Sequence, residues 1–424
     1  MLGLDGALLS FHYVWGATLS GHHAVTWRLD AGQLGLLAAL GFLPYALMQI
    51  PGGFLTDLFG GRRILTVALL VTAAGTALFA LAPTFALAVV GRIVIGVGSA
   101  AILLPTLAVL ARWFRIREYA TIQGGYLLLS AIGSLIATVP LALAAERWSW
   151  RVPMLAVAIV TFFGAGLSWW VIRNRPTDLD LPPISSIDPD AGAVEVGEER
   201  LSLRAGLRAW RTVPTLWVSS LILFASWGAL QAFQGLWAGP ILRHVRGFTA
   251  AEVGQSLFMF TLGVGFGPVL FGWISDRVVQ ARRPVVMASI IGQALLWALV
   301  VLAIDRLPTL LVNLTFLGIA ALSGGVLVAQ VMVKELCPPG AFGTIFGIIN
   351  GSGFYGTAAI QLMTGGILTA VGPEIITDEP IYGASAYALA LCPIVGLMTI
   401  AACFSIRLTE TLGPGRTPWP QQIS

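Results

Sequence analysis

The sequence predicts an all-α polytopic membrane protein with about twelve transmembrane helices. Hydrophobic residues make up 57% of the chain and charged residues only 10%, whereas soluble domains carry about 25% charged residues. Apolar runs of about 20 residues, the length that a helix needs to cross a bilayer, recur along nearly the whole chain. A transmembrane barrel instead needs segments of about 10 residues that alternate apolar and polar, and the sequence lacks them.

Proline, glycine and charged residues divide the apolar runs into two sets of six. We place an N-terminal six-helix bundle at 1–172 and a C-terminal six-helix bundle at 214–408. Residues 173–213 are rich in Asp, Glu, Arg and Pro, which predicts a solvated linker, and residues 409–424 form a tail. The expected spans are 4–25, 34–56, 64–82, 85–111, 119–144, 151–172, 214–238, 251–275, 284–303, 308–333, 341–370 and 384–406.

The distribution of Lys and Arg predicts the orientation, because these residues resist translocation across a membrane. Seventeen of them lie on the side of the two termini and the linker, and six lie on the other side. The linker, the tail and both termini are therefore expected to be cytoplasmic, in a protein of the cell (inner) membrane. The first expected span is only weakly apolar, since it contains His12, His22 and His23, and Asp5 is placed at its edge.

A glycine, aspartate and arginine pattern occurs once in each half of the chain. The two aspartates are 219 residues apart, about half the length of the chain, which indicates an internal duplication. The pattern comprises Gly53, Asp57, Gly60, Arg62 and Arg63 after the second expected span, and Gly272, Asp276 and Arg277 after the eighth.

This pattern resembles the motif G-x-x-x-D-[RK]-x-G-[RK]-[RK] of the major facilitator superfamily, which lies between spans 2 and 3 and recurs between spans 8 and 9. Arg92, Gly96 and Gly98 in the fourth span are similar to a second motif of that family. The resemblance implies two pseudo-symmetric six-helix bundles and transport of a small solute by alternating access. The stretches 175–183 and 234–240 are loosely similar to bacterial sugar-phosphate and organic-anion permeases.

The two aspartates of the pattern are candidates for a conformational latch. A carboxylate at the end of a span, beside arginines and helix N-termini, can form charge-assisted contacts that hold two half-bundles together and part when they rock. The alternative is that Asp57 and Asp276 only cap short loops. The duplication of the pattern favours the latch.

Arg92 is the basic residue that lies well inside an expected span. An unpaired guanidinium at such a depth costs several kcal/mol unless it faces a polar cavity or a partner, so Arg92 is a candidate for contact with a solute or coupling ion. Alternatively it reaches the membrane interface or braces backbone carbonyls. His12 is either a titrating group or a packed, hydrogen-bonded residue.

In the superfamily the solute site lies at the membrane midplane between the two halves. Polar and aromatic residues of the corresponding spans predict a neutral cavity with aromatic walls, in which Arg92 supplies the positive field that suits a small organic anion. Each of these polar residues could instead join two helices by a hydrogen bond. The candidates are Arg92, His12, Tyr13, Gln123, Tyr126, Gln231, Gln234, Trp237, Asn350 and Tyr355, and Trp15, Tyr45 and Gln330 share their character.

No Asp or Glu occupies the middle of an expected span, although proton-driven carriers commonly use such carboxylates. The sequence therefore fits a facilitator, an anion exchanger or proton coupling through another group. The expected partners are a small-molecule solute, the lipid bilayer and a coupling proton or counter-anion, and a monomer is expected. The basic residues form no stripe, which argues against nucleic acid as a partner, and no cofactor is expected.

The sequence argues against an enzyme. Catalysis in a membrane protein would need clustered carboxylates, a metal-ligand set or a nucleophile with its base, and the pair His22 and His23 has no acid or Cys at ligand spacing. No metal is therefore expected. A transporter-like membrane receptor or sensor, which binds a solute without net flux, is the rival function, because a fold alone does not prove flux.

Overall fold

The computed structural model describes residues 1–114, 116–182, 203–337, 339–376 and 379–412. Eleven helical segments among these residues are long and apolar enough to cross a membrane. The first helix, Leu2–Trp27, is less apolar, but its 26 residues reach about 39 Å at 1.5 Å per residue. The prediction of an all-α polytopic membrane fold with about twelve spans is confirmed.

Seven helices make up the first part of the chain. The fifth and sixth helices together form one span, Gly124–Trp148. The helix is interrupted within this span at 137–138, just before Pro140, because proline has no N–H to donate. A 3₁₀ turn, Pro176–Leu179, follows the last of them. The helices are α1 (Leu2–Trp27), α2 (Ala31–Phe59), α3 (Gly61–Leu81), α4 (Phe85–Trp113), α5 (Ile116–Ile136), α6 (Val139–Trp148) and α7 (Arg151–Val171).

The second part of the chain begins with a short helix inside the predicted linker 173–213. Two π turns, Phe233–Trp237 and Ile274–Val278, extend the helices that precede them. The elements are α8 (Leu203–Thr212), α9 (Pro214–Ala232), α10 (Ala238–Arg246), α11 (Ala250–Trp273), α12 (Arg283–Ala303), α13 (Thr309–Leu336), α14 (Pro339–Val371), the antiparallel strands β1 (Glu374–Ile376) and β2 (Glu379–Ile381), and α15 (Ala384–Ser405).

The chain forms two compact units. Among the described residues, the N-terminal unit comprises Met1–Trp27 and 40–182, and the C-terminal unit comprises Arg28–Ala39 and 203–412. Aromatic side chains fill both interiors. In the C-terminal unit the ring of Phe233 lies 5.1 Å from that of Trp297, measured between centroids.

In the N-terminal unit the aromatic core surrounds His23 of α1. The centroid of its ring lies 4.8 to 5.6 Å from those of Trp15, Trp27, Phe79 and Trp150. Large aromatic rings bury much apolar area, and three of these four ring pairs have the favourable edge-to-face arrangement while His23 and Trp27 are stacked. This cluster fixes one end of α1 against α3 and the start of α7.

Small residues bring α1 close to α5. A Cβ at Gly133 would collide with the backbone oxygen of Ala7, so only glycine permits this approach. The hydroxyl of Thr18 also donates to the backbone oxygen of Ala137 at 2.6 Å. These contacts make α1 a packed member of the N-terminal bundle.

Candidate functional site

A cavity lies inside the N-terminal unit among α1, α2 and α4. Its walls combine one arginine with aromatic rings and small residues. The lining residues are His12 and Tyr13 of α1, Gly41, Phe42 and Tyr45 of α2, and Arg92, Ile95, Gly96 and Ser99 of α4.

Arg92 is the charged group of this cavity and is only 4% exposed. Its guanidinium carbon lies 4.5 Å from the ring centroid of Trp15, a cation–π contact. Among the residues that the structure describes, no carboxylate lies within ion-pair distance of Arg92. A buried guanidinium without a counter-charge costs several kcal/mol, so an anion in this cavity would gain strongly from contact with it.

Gly41 makes room for the guanidinium. A Cβ at this position would lie 2.5 Å from Nε and 2.6 Å from Cζ of Arg92, closer than van der Waals contact permits. The absence of a side chain at Gly41 therefore allows the guanidinium of Arg92 to lie between α2 and the indole of Trp15.

Polar atoms without hydrogen-bond partners border the cation. Both ring nitrogens of His12 and the hydroxyl of Ser99 are buried and have no hydrogen-bond partner within the described part of the chain. Buried polar groups nearly always find partners, so these atoms are available to a solute. The rings of Tyr13 and Tyr45, with centroids 5.6 Å apart, form one wall.

The structure thus brings together three predicted candidates, Arg92, His12 and Tyr13. Gly41 and Ser99 were not among the predicted residues. Ser99 follows Arg92 by seven positions on the same helix, and this spacing places both on one face. This seven-residue spacing is the signal from which Ser99 could have been predicted.

The other candidates lie elsewhere in the two units. Tyr126 is buried on α5, and the side chain of Gln123 lies outside the described residues. In the C-terminal unit Gln234 donates to Thr261 Oγ1 at 3.0 Å, so it joins two helices. The remaining predicted residues in the C-terminal unit differ in burial. Gln231 and Trp237 are buried, Asn350 and Gln330 are half-buried, and Tyr355 is 37% exposed.

The first copy of the duplicated pattern joins α3 to the segment after α7. The side chain of Asp57 on α2 lies outside the described part of the chain, as do the surroundings of Gly53. Gly60 takes a positive φ of 83° at the turn between α2 and α3, a conformation that favours glycine.

Arg62 makes the contacts of this first copy, while Arg63 is exposed. The backbone N–H of Arg62 donates to Asn174 Oδ1 at 2.8 Å, and the Nε of Arg62 donates to the backbone oxygen of Trp169 at 2.8 Å. Its guanidinium carbon lies 4.2 Å from the Trp169 ring centroid. Arg62 therefore fixes the N-terminus of α3 beside the end of α7.

In the second copy, Asp276 pairs with Arg282 and not with the neighbouring Arg277. Arg282 donates to Asp276 and, from Nη2 at 2.9 Å, to Glu335 at the end of α13. Arg277 is exposed and has no ion pair among the described residues, and Gly272 has no atom within 4 Å of an added Cβ. Burial disfavours the charged form of Arg282, but hydrogen bonds with both carboxylates outweigh it and raise its pKa.

Glu410, which follows α15 in the chain, also belongs to this network. Its carboxylate accepts the backbone N–H groups of Arg282 and Arg283 at 2.9 and 3.1 Å, and so caps the N-terminus of α12. Thr411 donates from Oγ1 to Glu335 at 2.6 Å. Partial burial raises the pKa of Glu410, but four backbone N–H donors outweigh that effect, so its pKa is lowered.

Glu410→Gln is expected to remove a pH-dependent contribution to stability. Because the pKa of Glu410 is lower in the folded protein than its ordinary value of about 4.3, the carboxylate stabilises the fold above that value and the contribution disappears as the pH falls through the folded pKa. The thermal unfolding midpoint of the wild type should therefore fall more steeply than that of the variant below about pH 5. Intrinsic fluorescence measures both midpoints.

Glu146→Gln provides the control for this comparison, because Glu146 is an exposed carboxylate of the N-terminal unit. Its midpoint should follow the wild-type pH profile. Equal slopes for the wild type and the Glu410 variant would contradict the proposed cap.

These features define a multi-pass membrane protein with a buried cation in one unit and a duplicated charged motif. The sequence profile of the Major Facilitator Superfamily matches residues 6–279 and 231–422. The chain belongs to this superfamily. The resemblance expected from the duplicated pattern is confirmed.

Curated relatives match the chain at low identity. A probable sulfoacetate transporter, SauU of Cupriavidus necator, is 22% identical over 68% of this chain and 68% of its own length. The membrane sensor protein UhpC of Salmonella typhimurium is 25% identical over 60% of this chain, and the match spans 58% of the sensor. A gentisate transporter of Corynebacterium glutamicum is 26% identical over 87% of this chain and 80% of its own length.

A solved structure shares the fold. The crystal structure of a D-xylose-proton symporter has a TM-score of 0.71 and 13% identity, and the match covers 95% of each chain. At this identity the likeness shows the fold alone.

Proposed function

We propose that the protein carries a small organic anion across the membrane by alternating access. The observation that supports this most directly is Arg92, a buried guanidinium that faces a cavity and has no carboxylate partner within the described residues. An anionic group in the cavity would pair with Arg92 and remove the cost of its unpaired charge. Charge-assisted hydrogen bonds of this kind are the strong ones.

The other lining residues have roles that follow from their chemistry. His12 and Ser99 can donate hydrogen bonds to a second oxygen of the anion, because their buried polar atoms have no partner in the described chain. Tyr13 and Tyr45 provide an aromatic wall for the remaining part of the solute. The site therefore fits an anion whose charge is at one end.

The relatives support this class of solute. Sulfoacetate and gentisate, the solutes in the names of two of them, are both organic anions. The alternative, a receptor that binds an anion without net flux, is supported by the likeness to the sensor UhpC.

The duplicated motif is proposed to act as a conformational latch. The pairs of Arg282 with Asp276 and Glu335 would open and re-form during the cycle, and Asp57 would act in the same way in the first copy. The proposal includes a monomer in the inner membrane, with bundles at 1–172 and 214–408. The linker 173–213, the tail 409–424 and both termini would be cytoplasmic, as the distribution of basic residues indicates.

Counterflow in proteoliposomes tests the proposal. Purified protein is reconstituted into liposomes loaded with sulfoacetate, gentisate, glycerol 3-phosphate or the neutral sugar D-xylose, and entry of the same labelled compound is followed. Counterflow is expected for at least one anion and not for D-xylose. Saturable binding of an anion without counterflow would replace the transporter by the sensor, and counterflow of D-xylose alone would overturn the anion specificity.

A further inference from the structure

The short helix α8 of the C-terminal unit has an exposed basic face. Its sequence contains Arg204, Arg208 and Arg211 and no Asp or Glu. Gly206 and Ala209 are buried against the protein, whereas Arg208 and Arg211 are exposed. These two arginines are three positions apart and therefore share a face of the helix. Neither of them takes part in an ion pair with a described residue.

A hydrogen bond holds α8 beside the first turns of the next membrane span, α9. The indole N–H of Trp210 on α8 donates to the hydroxyl of Ser220 at 2.8 Å. Ser220 lies six residues after Pro214, where the span begins, which corresponds to about 9 Å along the helix axis. The polar headgroup layer lies at the end of a membrane span, and tryptophans are enriched there. The C-terminal half of α8 is therefore at the depth of the lipid headgroups.

A third exposed arginine, Arg407, borders the same face of α9. Its guanidinium carbon lies 5.9 Å from the ring centroid of Trp217 in the first turn of α9, and 5.2 Å from that of Phe404 on α15. Trp217 precedes Ser220 by three positions, so the two residues share a face of α9. Arg407 and α8 thus contact one side of this helix, and Arg407 also has no ion pair within the described chain.

We propose that Arg208, Arg211 and Arg407 form a binding surface for anionic phospholipids, which we call the headgroup site. Each guanidinium can donate paired hydrogen bonds to the oxygens of a phosphodiester. Clusters of arginines directly beside a transmembrane helix are typical of recognition of anionic lipids. A zwitterionic lipid should bind more weakly, because its own cation would lie among the three arginines.

The surroundings of the headgroup site favour a lipid over a soluble anion. Leu207, which precedes Arg208, is 41% exposed, and the side chains of Trp217 and Phe404 are only half-buried. Apolar surface of this kind beside basic residues can contact the acyl chains of a lipid. It offers nothing to inorganic phosphate, so the combination of charge and apolar surface identifies a phospholipid.

Native mass spectrometry of the full chain in detergent tests the headgroup site. The protein is titrated with the anionic phosphatidylglycerol or with the zwitterionic phosphatidylcholine, which carry identical acyl chains. The wild type should bind phosphatidylglycerol at least about 10-fold more tightly. Arg208→Gln, Arg211→Gln and Arg407→Gln combined should remove this preference, because each arginine near a membrane surface contributes about a five-fold factor.

Two further variants separate the headgroup site from net charge and from folding. Arg147→Gln, Arg243→Gln and Arg306→Gln combined remove the same charge from exposed positions elsewhere, so this variant should keep the preference for phosphatidylglycerol. Lys at the three positions of the headgroup site keeps the charge and should also keep a preference. Loss of the preference in either variant would contradict the assignment of lipid recognition to these three charges.

Three results with the wild type would overturn the proposal. The first is equal affinity for the two lipids. The second is displacement of phosphatidylglycerol by an equal concentration of inorganic phosphate, which would assign the surface to a soluble anion. The third is displacement by hexaglutamate, which would assign it to an acidic protein partner. The proposed transport of an organic anion is tested separately by counterflow and does not depend on these results.

Discussion

Arg92→Gln is expected to lower uptake of the transported anion by about 100-fold. The substitution removes the cation of the cavity, and loss of one partner from a buried charge pair costs about 2 to 5 kcal/mol, where each 1.4 kcal/mol is about a factor of ten. Counterflow in proteoliposomes measures the loss. The apparent affinity for the anion should fall with the rate, because the guanidinium contacts the solute directly.

Thermal stability separates this role from a structural one. The wild-type guanidinium is buried without a carboxylate partner in the described part of the chain, so its removal should leave the unfolding midpoint unchanged or raise it. Arg306→Gln is the control, because the side chain of Arg306 is 83% exposed, and its uptake should equal that of the wild type. Full anion uptake by Arg92→Gln would exclude the proposed site.

Arg282→Gln is expected to destabilise the C-terminal unit by about 2 kcal/mol. The side chain of Arg282 is 11% exposed and pairs with Glu335, which is 24% exposed. Its other partner, Asp276, is 54% exposed, so that pair contributes much less. The unfolding midpoint, followed by intrinsic fluorescence, should therefore fall.

Arg277→Gln is the matched control for this prediction. Arg277 belongs to the same loop, is exposed and has no ion pair among the described residues, so its removal should not change the midpoint. An equal effect of the two substitutions would mean that the loop, and not the ion-pair network, determines stability. Glu335→Gln should reproduce most of the Arg282 effect.

The architecture was predictable because lipid imposes a simple requirement. Each span needs about 20 apolar residues whose backbone is satisfied within its own helix, and such runs are visible in the sequence. Arg92 was found for the related reason that a charge inside an apolar run is costly and therefore conspicuous. His12 and Tyr13 were predicted because they lie in a span that corresponds to one lining the solute site in the superfamily.

The network of Arg282 and the burial of Asp5 depend on contacts between residues that are distant in the sequence. Glu335 and Glu410 reach Arg282 across 53 and 128 positions of the chain, and no local pattern marks such pairs. Asp5 was placed at a span edge because α1 has weak apolar character. Its burial arises from packing against α5 and α7, which the sequence of α1 alone does not contain.

The position of Glu410 has a consequence for synthesis of the protein. Arg282 leaves the ribosome 128 residues before the carboxylate that caps its helix, so during translation α12 begins without its cap. Asp276 precedes Arg282 and is its first partner, and Glu335 follows 53 residues later. The second half of the protein can therefore complete its charged network only after residue 410 has been synthesised, and a ribosome that stalls before that residue would leave the N-terminus of α12 without its cap.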